Sequence, residues 1–490
     1  VDPRRRKRAL RARRTGDWNG CATIPALFGL AFRRAAFHLA GADLADLEAA
    51  KQRDVHALGW PDAPGQLDRV SRILEILAQR PPGERYRLAS TERDALLAAL
   101  GEGALSDGRR MFLLALAVDR AFVAFGEDGE VADSHGLVCP KPATLFEHIE
   151  NAPPPIGQMT PFAVCRRWFA RFWYQGDTSV ADAFGQSPTT RRRDLPARTR
   201  QALQRACDQS EIRIALVTWR RHEPADLDLE RPGPGRFAVR GLTVAPRPGL
   251  AAELVALLAE RSVHVALLPE IALGATDLHD LSTALRTRAG RFPALVAAGL
   301  AHRPAPGGAS YVNEAVLLDA GGRELLRHEK LEPFTHQGVG IEDILPRQSA
   351  TYEFLDTPIG RVVLNICRDV RSDVPLLLNR MLGATMILVP AYSRRLDFAL
   401  EEARILGARQ GATIAAVNPL AASLEDGLFV YAPIKGSVHS TGSKPHVGVA
   451  QAELAALVDD GDASLAVVVV RATLEAGPTA KLSTEGSHVV

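Results

Sequence analysis

Lysine is nearly missing from this chain of 490 residues: of 59 basic residues only seven are Lys (Lys7, Lys51, Lys141, Lys330, Lys435, Lys444 and Lys481). That scarcity excludes lysine as the general surface cation, so a lysine marks a place where a compact ammonium serves better than a planar guanidinium. Long apolar runs are lacking too. "MFLLALAVDRAFVAF" is interrupted by Asp119 and Arg120, and "LAVVVV" is far too short, so no membrane-spanning helix and no membrane partner are expected. Cysteines at metal-ligand spacing are absent: Cys21, Cys139, Cys165, Cys207 and Cys367 are scattered without a CxxC. This excludes a zinc or disulfide framework, and reduced thiols with no metal and no cofactor are expected. Charge of one sign does not dominate either, since 59 basic against 57 acidic residues leave +2, and whole-chain electrostatics do not mark a nucleic-acid binder.

The opening "VDPRRRKRALRARR" lacks the apolar core of a signal peptide, so a cytoplasmic location is expected. With Val1 in first place, a processed chain or the tail of a longer one both fit. What is present is an apolar fraction of 46% with 24% charged residues, a globular composition, at a length that calls for two hydrophobic cores.

Residues 1–205 read as a mostly α-helical domain. "GQLDRVSRILEILAQ", "STERDALLAALGEG" and "DGRRMFLLALAVDRAFVAF" carry apolar residues at helical spacing, and Thr91 and Asp94 are spaced like a capping box. Proline-rich joints such as "ENAPPPIGQMTP" separate the helices. "RRWFARFWYQ" sets aromatics beside arginines; such a stretch can stack on bases or a partner, but a tryptophan-rich helix packed in its own core is the simpler reading. "RRRKRALRARR" and "TTRRRDLPARTRQALQR" read as solvated surface or linker, with nucleic-acid contact as the sharper alternative.

From 209 the rhythm changes to strands alternating with helices. "EIRIALVTW", "VHVALLPE", "ALVAAGL", "TMILVP" and "TIAAVNP" read as strands, and "PGLAAELVALLAERS", "TDLHDLSTALRTRAG" (Thr276 as its cap), "DVPLLLNRML" and "LDFALEEARILGARQ" as helices. "NEAVLLDAGGRELLRHEK" and "TYEFLDTPIGRVVLNIC" read as hairpins, the first turning at Ala320, Gly321 and Gly322, and "SLAVVVVRATLE" as the closing strand. Such alternation makes this an α/β domain, 209–476, followed by a tail, 477–490.

Three polar residues end strands of this domain: Glu270 in "VALLPE", Lys330 in "LRHEKLEPF" and Cys367 in "VLNICRD". Strand ends are where α/β domains build their sites. A thiolate to attack an acyl or nitrile carbon, a carboxylate to carry its proton and an ammonium to steady the oxyanion together suffice for acyl transfer. Each residue alone has a plainer reading: a strand-end carboxylate, a surface lysine, a small buried hydrophobe. His264 reads as a satisfied core histidine. His328 and His336 flank Lys330 without making a metal site.

The order and spacing of "LLPE", "HEKLEPF" and "ICRDVR" resemble the carbon-nitrogen hydrolase, or nitrilase, superfamily over roughly 209–476. The resemblance implies an α-β-β-α sandwich, a catalytic Glu270, Lys330 and Cys367, and a substrate-positioning second glutamate at Glu342 in "GIEDILP". It also implies an oxyanion-hole N–H on Arg368, with Asp369 fixing the turn, and an Asn-containing strand in "VNEAVLLDAGGRELLRHEK". Hydrolysis of a small-molecule amide, carbamoyl compound or nitrile through a Cys367 thioester is the implied reaction, in a bacterial homodimer or higher oligomer. The family's serine-containing stretch is matched only loosely by "LEDGLFVYAPIKGSVHSTGSKPHVGVA", so the pocket rim is expected to be remodelled. Nitrilase-like domains also occur attached to other modules, including reverse transcriptases in phage defence. A non-catalytic ligand-sensing or assembly module in a larger, nucleic-acid-associated system is therefore the alternative. If the N-terminal half contacts nucleic acid or a protein partner through its arginine runs, nucleic-acid binding falls steeply between low and moderate salt. Absent or salt-insensitive binding in a titration removes that role.

Overall fold

The computed structural model describes residues 18, 22–50, 54–122, 131–133, 136–140, 169, 172–175, 189–219, 226–243, 247–288, 290, 292–308, 310–336, 340–344, 351–410, 412–421, 423–432, 446–458, 465–474 and 480–489. They fall into two compact units, residues 18–175 and residues 189–489. The "RRRKRALRARR" run, "ENAPPPIGQMTP", Cys21, Cys165 and His336's side chain lie outside the described residues.

The first unit is built on the helix Gly108–Ala121, in which every residue from Met111 to Val118 is buried. A helix apolar on all sides must be central, and Ile24–His38 and Ala63–Ala78 pack on it. Asp107 starts it by accepting the N–H groups of Arg109 and Arg110. Helix Ser90–Leu100 is capped differently from expectation. Ala89 is its N-cap and donates its N–H to Glu92 Oε2 at 2.7 Å, because Thr91 already lies inside the first turn. The aromatic segment also departs from expectation: Phe172–Gln175 is a strand, paired antiparallel with Gly136–Pro140, with Trp173 opposite Cys139 in the backbone register. Phe, Trp and Tyr favour strands once a neighbour offers pairing. Phe169 is the buried anchor beside it, edge-on to Phe28 with ring centroids 5.1 Å apart.

The second unit is an α-β-β-α sandwich. Its first sheet runs Glu324–Glu329, Glu314–Asp319, Leu295–Gly299, Val265–Leu267, Glu211–Trp219, Leu465–Leu474, Ala480–Val489. Its second runs His446–Ala450, Asp426–Tyr431, Thr413–Val417, Met386–Pro390, Gly360–Leu364, Thr351–Thr357, Thr189–Arg193. Three central strands of each sheet are mutually parallel, and sheets covered on both faces read as continuous apolar runs. In the first sheet Ala215, Val217, Val296 and Val467 pack under the helices Leu250–Glu260 and Ala275–Arg288. The alternate residues Ile214, Leu216, Leu295 and Val468 are also buried and turn to the second sheet. The helix Asp397–Gln410 covers that sheet from outside. Among the described residues no helix is long and apolar enough to cross a membrane.

Three boundaries differ from the sequence reading. Thr189–Arg193 and the helix Ala197–Asp208 belong with the sandwich rather than with the helical region. "TTRRR" has no apolar pattern, yet it pairs in parallel with Thr351–Leu355, and Arg192 and Arg193 meet Asp356 at 3.2 Å and Glu353 at 2.7 Å. Residues 480–489 are no tail but the edge strand beside Leu465–Leu474. Helix Ala275–Arg288 starts before Thr276, with Asp277 Oδ2 accepting the Gly274 N–H at 3.1 Å.

The hairpin that delivers Lys330 turns where expected. Asp319 Oδ1 accepts the N–H groups of Gly321 and Arg323, both at 2.9 Å. Gly322 adopts φ +72°, and a Cβ there would sit 2.1 Å from the Ser282 carbonyl oxygen. Leu216→Ala at the centre of the first sheet removes a fully buried side chain and is expected to cost about 2–5 kcal/mol, measured as a lower denaturant midpoint for the sandwich.

Candidate functional site

Strand ends bring the polar residues together. Glu270 follows Val265–Leu267 by a short step and donates its backbone N–H to Ala391 at 3.3 Å, tying the ends of the two sheets. Gly299 on the neighbouring strand makes room for it: a Cβ there would lie 2.5 Å from Glu270 Cα. Lys330 follows Glu324–Glu329, and its Nζ donates to Glu270 Oε1 at 2.7 Å and to Glu342 Oε2 at 2.8 Å. Asn313 lies across the hairpin, where its carbonyl accepts the Lys330 N–H. Its Nδ2 donates to both carboxylates, at 2.8 Å to Glu270 and 2.7 Å to Glu342. All four side chains are buried.

Burial alone would push Glu342 up and Lys330 down. Their mutual charge outweighs it: Lys330, then His302, hold Glu342 well below its ordinary value. Glu270 and then Glu342 hold Lys330 well above its own. His302 Nε2 sits 3.0 Å from Glu342 Oε1, while its Nδ1 accepts the Val239 N–H at 3.1 Å, so Nε2 carries the ring proton. Phe334 donates its backbone N–H to Glu342 Oε2 at 2.9 Å.

Cys367 stands at the turn between strand Gly360–Leu364 and a short 3₁₀ helix, Cys367–Val370, at φ +48°. Ile271, next to Glu270, is at φ +60°. Positive φ at non-glycine residues costs about 1–3 kcal/mol each, and two of the five such residues among those described fall at this site, Asp62, Ser210 and Ser262 lying elsewhere. The buried Asp369 holds the turn: Oδ1 accepts the N–H groups of Leu331 and Glu332, both at 3.1 Å, and Oδ2 meets His328 Nε2 at 2.9 Å. The loop leaving Lys330 is thereby tied to the loop carrying the thiol. Arg368 is exposed on that turn. Cys367 Sγ lies 3.8 Å from the Tyr392 carbonyl oxygen. Burial first, then the charge of Glu270, push this thiol far above its ordinary value, against the opposing pull of Lys330.

Beside these groups is a cavity of about 40 Å³ where Glu270, Lys330, Glu342 and His302 meet a wall of Leu227, Leu229, Phe237 and Ile271. A wider groove of about 730 Å³ between the helices Leu250–Glu260 and Ala275–Arg288 contains none of these groups, so chemistry and not size picks out the smaller one. Among the described residues no cluster of three or more His, Cys, Asp or Glu side chains could hold a metal ion.

Residues 241–428 match the family model for carbon-nitrogen hydrolases. This segment is a carbon-nitrogen hydrolase domain. Solved structures similar to the chain include the amidase from Nesterenkonia sp. (19% identity, 50% of this chain and 92% of that one, TM-score 0.33). A double mutant of the Nesterenkonia sp. AN1 amidase in complex with acrylamide matches at 20% identity (46% and 84%, TM-score 0.32). No curated protein matches the chain.

Within the hydrolase domain the structure gathers Glu270, Lys330 and Glu342 directly and sets Cys367 within their electrostatic reach. His264 is a core histidine, its Nδ1 accepting the Arg213 N–H at 3.1 Å, and burial lowers its pKa to about 4. His328 meets a single carboxylate, Asp369, at 2.9 Å. Asn313 and His302 were not singled out as site residues. Counting back from the turn without the bulge at Leu317 and Leu318 would pair Asn313 with Glu329 rather than Lys330, and nothing in the sequence marks His302.

Glu342 has a folded-state pKa below its unfolded value. The stability it contributes is therefore present above about pH 4.5 and lost as pH falls through the folded value. Lys330→Met leaves two facing carboxylates and is expected to cost about 3–5 kcal/mol at neutral pH. One carboxyl then keeps its proton, with a pKa above its unfolded value, so the variant loses stability as pH rises. A pH series of denaturation midpoints reads this reversal against the wild type.

Proposed function

We propose that the domain hydrolyses a non-peptide carbon–nitrogen bond of an amide, carbamoyl compound or nitrile through a thioester on Cys367. The observation carrying this reading is the buried convergence of Glu270, Lys330 and Glu342 beside a thiol whose ionisation responds to all three. Burial and Glu270 keep the proton on sulfur at rest, so attack requires a base at the moment of bond formation. Glu270 fills that role. With an amide or carbamoyl compound it accepts the Sγ proton as sulfur bonds to the acyl carbon, then hands it to the departing nitrogen as the C–N bond breaks. A nitrile first adds the thiol as a thioimidate, which takes up one water before its nitrogen leaves as ammonia. Water next attacks the thioester, giving a proton to Glu270; the acid leaves, and the proton returns to sulfur.

Lys330 spends two of its three N–H donors on Glu270 and Glu342, and its third serves the developing oxyanion together with the Arg368 backbone N–H. Glu342 holds the ammonium in place and faces the leaving nitrogen. Asn313 and His302 keep the two carboxylates apart and oriented without adding charge.

Cys367→Ala is expected to abolish turnover of any amide the wild type hydrolyses. Glu270→Gln is expected to lower kcat by about 10²–10⁴-fold while making Cys367 easier to alkylate at neutral pH, because loss of the negative charge brings the thiol pKa down. Undiminished turnover by the alanine variant would refute the proposal. Intact mass after incubation with a panel of amides separates it from the non-catalytic module, which forms no adduct on Cys367.

A further inference from the structure

We infer that the small sheet over the cavity is the specificity element of this site, a fixed apolar wall that admits short uncharged acyl groups and refuses charged ones. The inference rests on the hydrolase reading above. The sheet runs Thr335–His336, Gly340–Glu342, Arg236–Leu242, Leu227–Glu230. Leu227, Leu229, Phe237 and Val239 all precede residue 241, where the family match begins, whereas Ile271 and Phe334 lie inside it, so four of the six wall residues come from a part of the chain that the family pattern does not cover.

Phe237, Val239 and Ile271 form one apolar cluster, with Leu227, Leu229 and Phe334 packed against it. The same residues line the cavity that contains Glu270 and Lys330. The wall is pinned and does not hang free. Strand Arg236–Leu242 pairs in parallel with Gly340–Glu342, placing Phe237 beside Glu342, and the Asp343 N–H donates to the Phe237 carbonyl at 2.7 Å. Val239 is bonded twice to His302, through its N–H to Nδ1 at 3.1 Å and through its carbonyl from the His302 N–H at 2.7 Å. On the outer side Arg236 meets Asp343 at 2.6 Å. The strand that faces the substrate is thus hydrogen-bonded to the residues that hold Glu342, and it cannot yield to a longer chain without disturbing them.

Size and charge follow. A cavity of about 40 Å³ is far below the roughly 300–1,000 Å³ of pockets for drug-sized ligands. Its charged groups are already paired with one another. Among the described lining residues no arginine or second lysine is present to receive a carboxylate on the acyl side, and such a group would be left unpaired against hydrocarbon.

The test is a kcat/KM series with the full chain on acetamide, propionamide, butyramide, hexanamide, benzamide and succinamate. Short neutral amides are expected to be preferred, with succinamate at least about a hundredfold poorer than butyramide. Leu229→Ala and Phe237→Leu are each expected to shift the hexanamide-to-acetamide ratio upward by about tenfold or more, within the range that one or a few methylenes command in an apolar pocket. Succinamate as the best substrate, or an unchanged ratio in both folded variants, overturns the inference while leaving the hydrolase reading intact. No turnover of any amide, together with no alkylation of Cys367 by chloroacetamide, removes the hydrolase reading itself.

Discussion

A lysine ammonium with almost no exposure, held between two carboxylates, is the interaction on which the sandwich's site depends. In water such an arrangement would contribute little. Out of water it is demanding: three charged groups must satisfy one another completely, or the cluster destabilises the fold. Asn313 and the Phe334 N–H supply the missing donors without adding charge, and His302 Nε2 lies 3.0 Å from Glu342 Oε1. Burial first, and then the charge of Glu270 against the pull of Lys330, keep the neighbouring thiol protonated at rest.

Placement of the cluster follows from the layers. Parallel strands covered on both faces all end at the same edge, so residues distant in sequence arrive together there. Glu270 and Cys367 come from different sheets, and the Glu270-to-Ala391 hydrogen bond and the Asp369 bonds to Leu331 and Glu332 hold those edges in register. Two of the five non-glycine residues with positive φ among those described also fall there. Cys367 and Ile271 both take positive φ, conformations that persist only because the surrounding hydrogen bonds and packing over-determine them.

Much of this was legible in the chain. The buried parallel strands announce themselves as short apolar runs, the Asp319–Gly322 turn as an Asx-and-glycine signature, and Lys330 as an exception in a sequence that otherwise uses arginine. The edges were less legible. "TTRRR" and "AKLSTEGSHV" show no apolar rhythm, because an edge strand needs only backbone pairing on one side and carboxylates for its arginines; nothing local distinguishes that from a solvated run. The aromatic segment at Phe172–Gln175 has the same weakness, since its partner strand lies more than thirty residues away.

Register marks the line between what the sequence determined and what only the tertiary structure decided. The sequence determined that a hairpin turns near Gly322 and ends in Lys330. A bulge between Leu317 and Leu318 shifts the pairing by one residue so that Glu314 lies opposite Glu329, and a one-residue slip exchanges the two faces of a strand. That shift sets Asn313 against Lys330 and within reach of both glutamates. His302, Val239 and the apolar wall likewise become parts of the site only when the small sheet closes over it. Side-chain type and spacing encode which residues are able to act, but distances between groups on separate strands are set by packing, which no local pattern records.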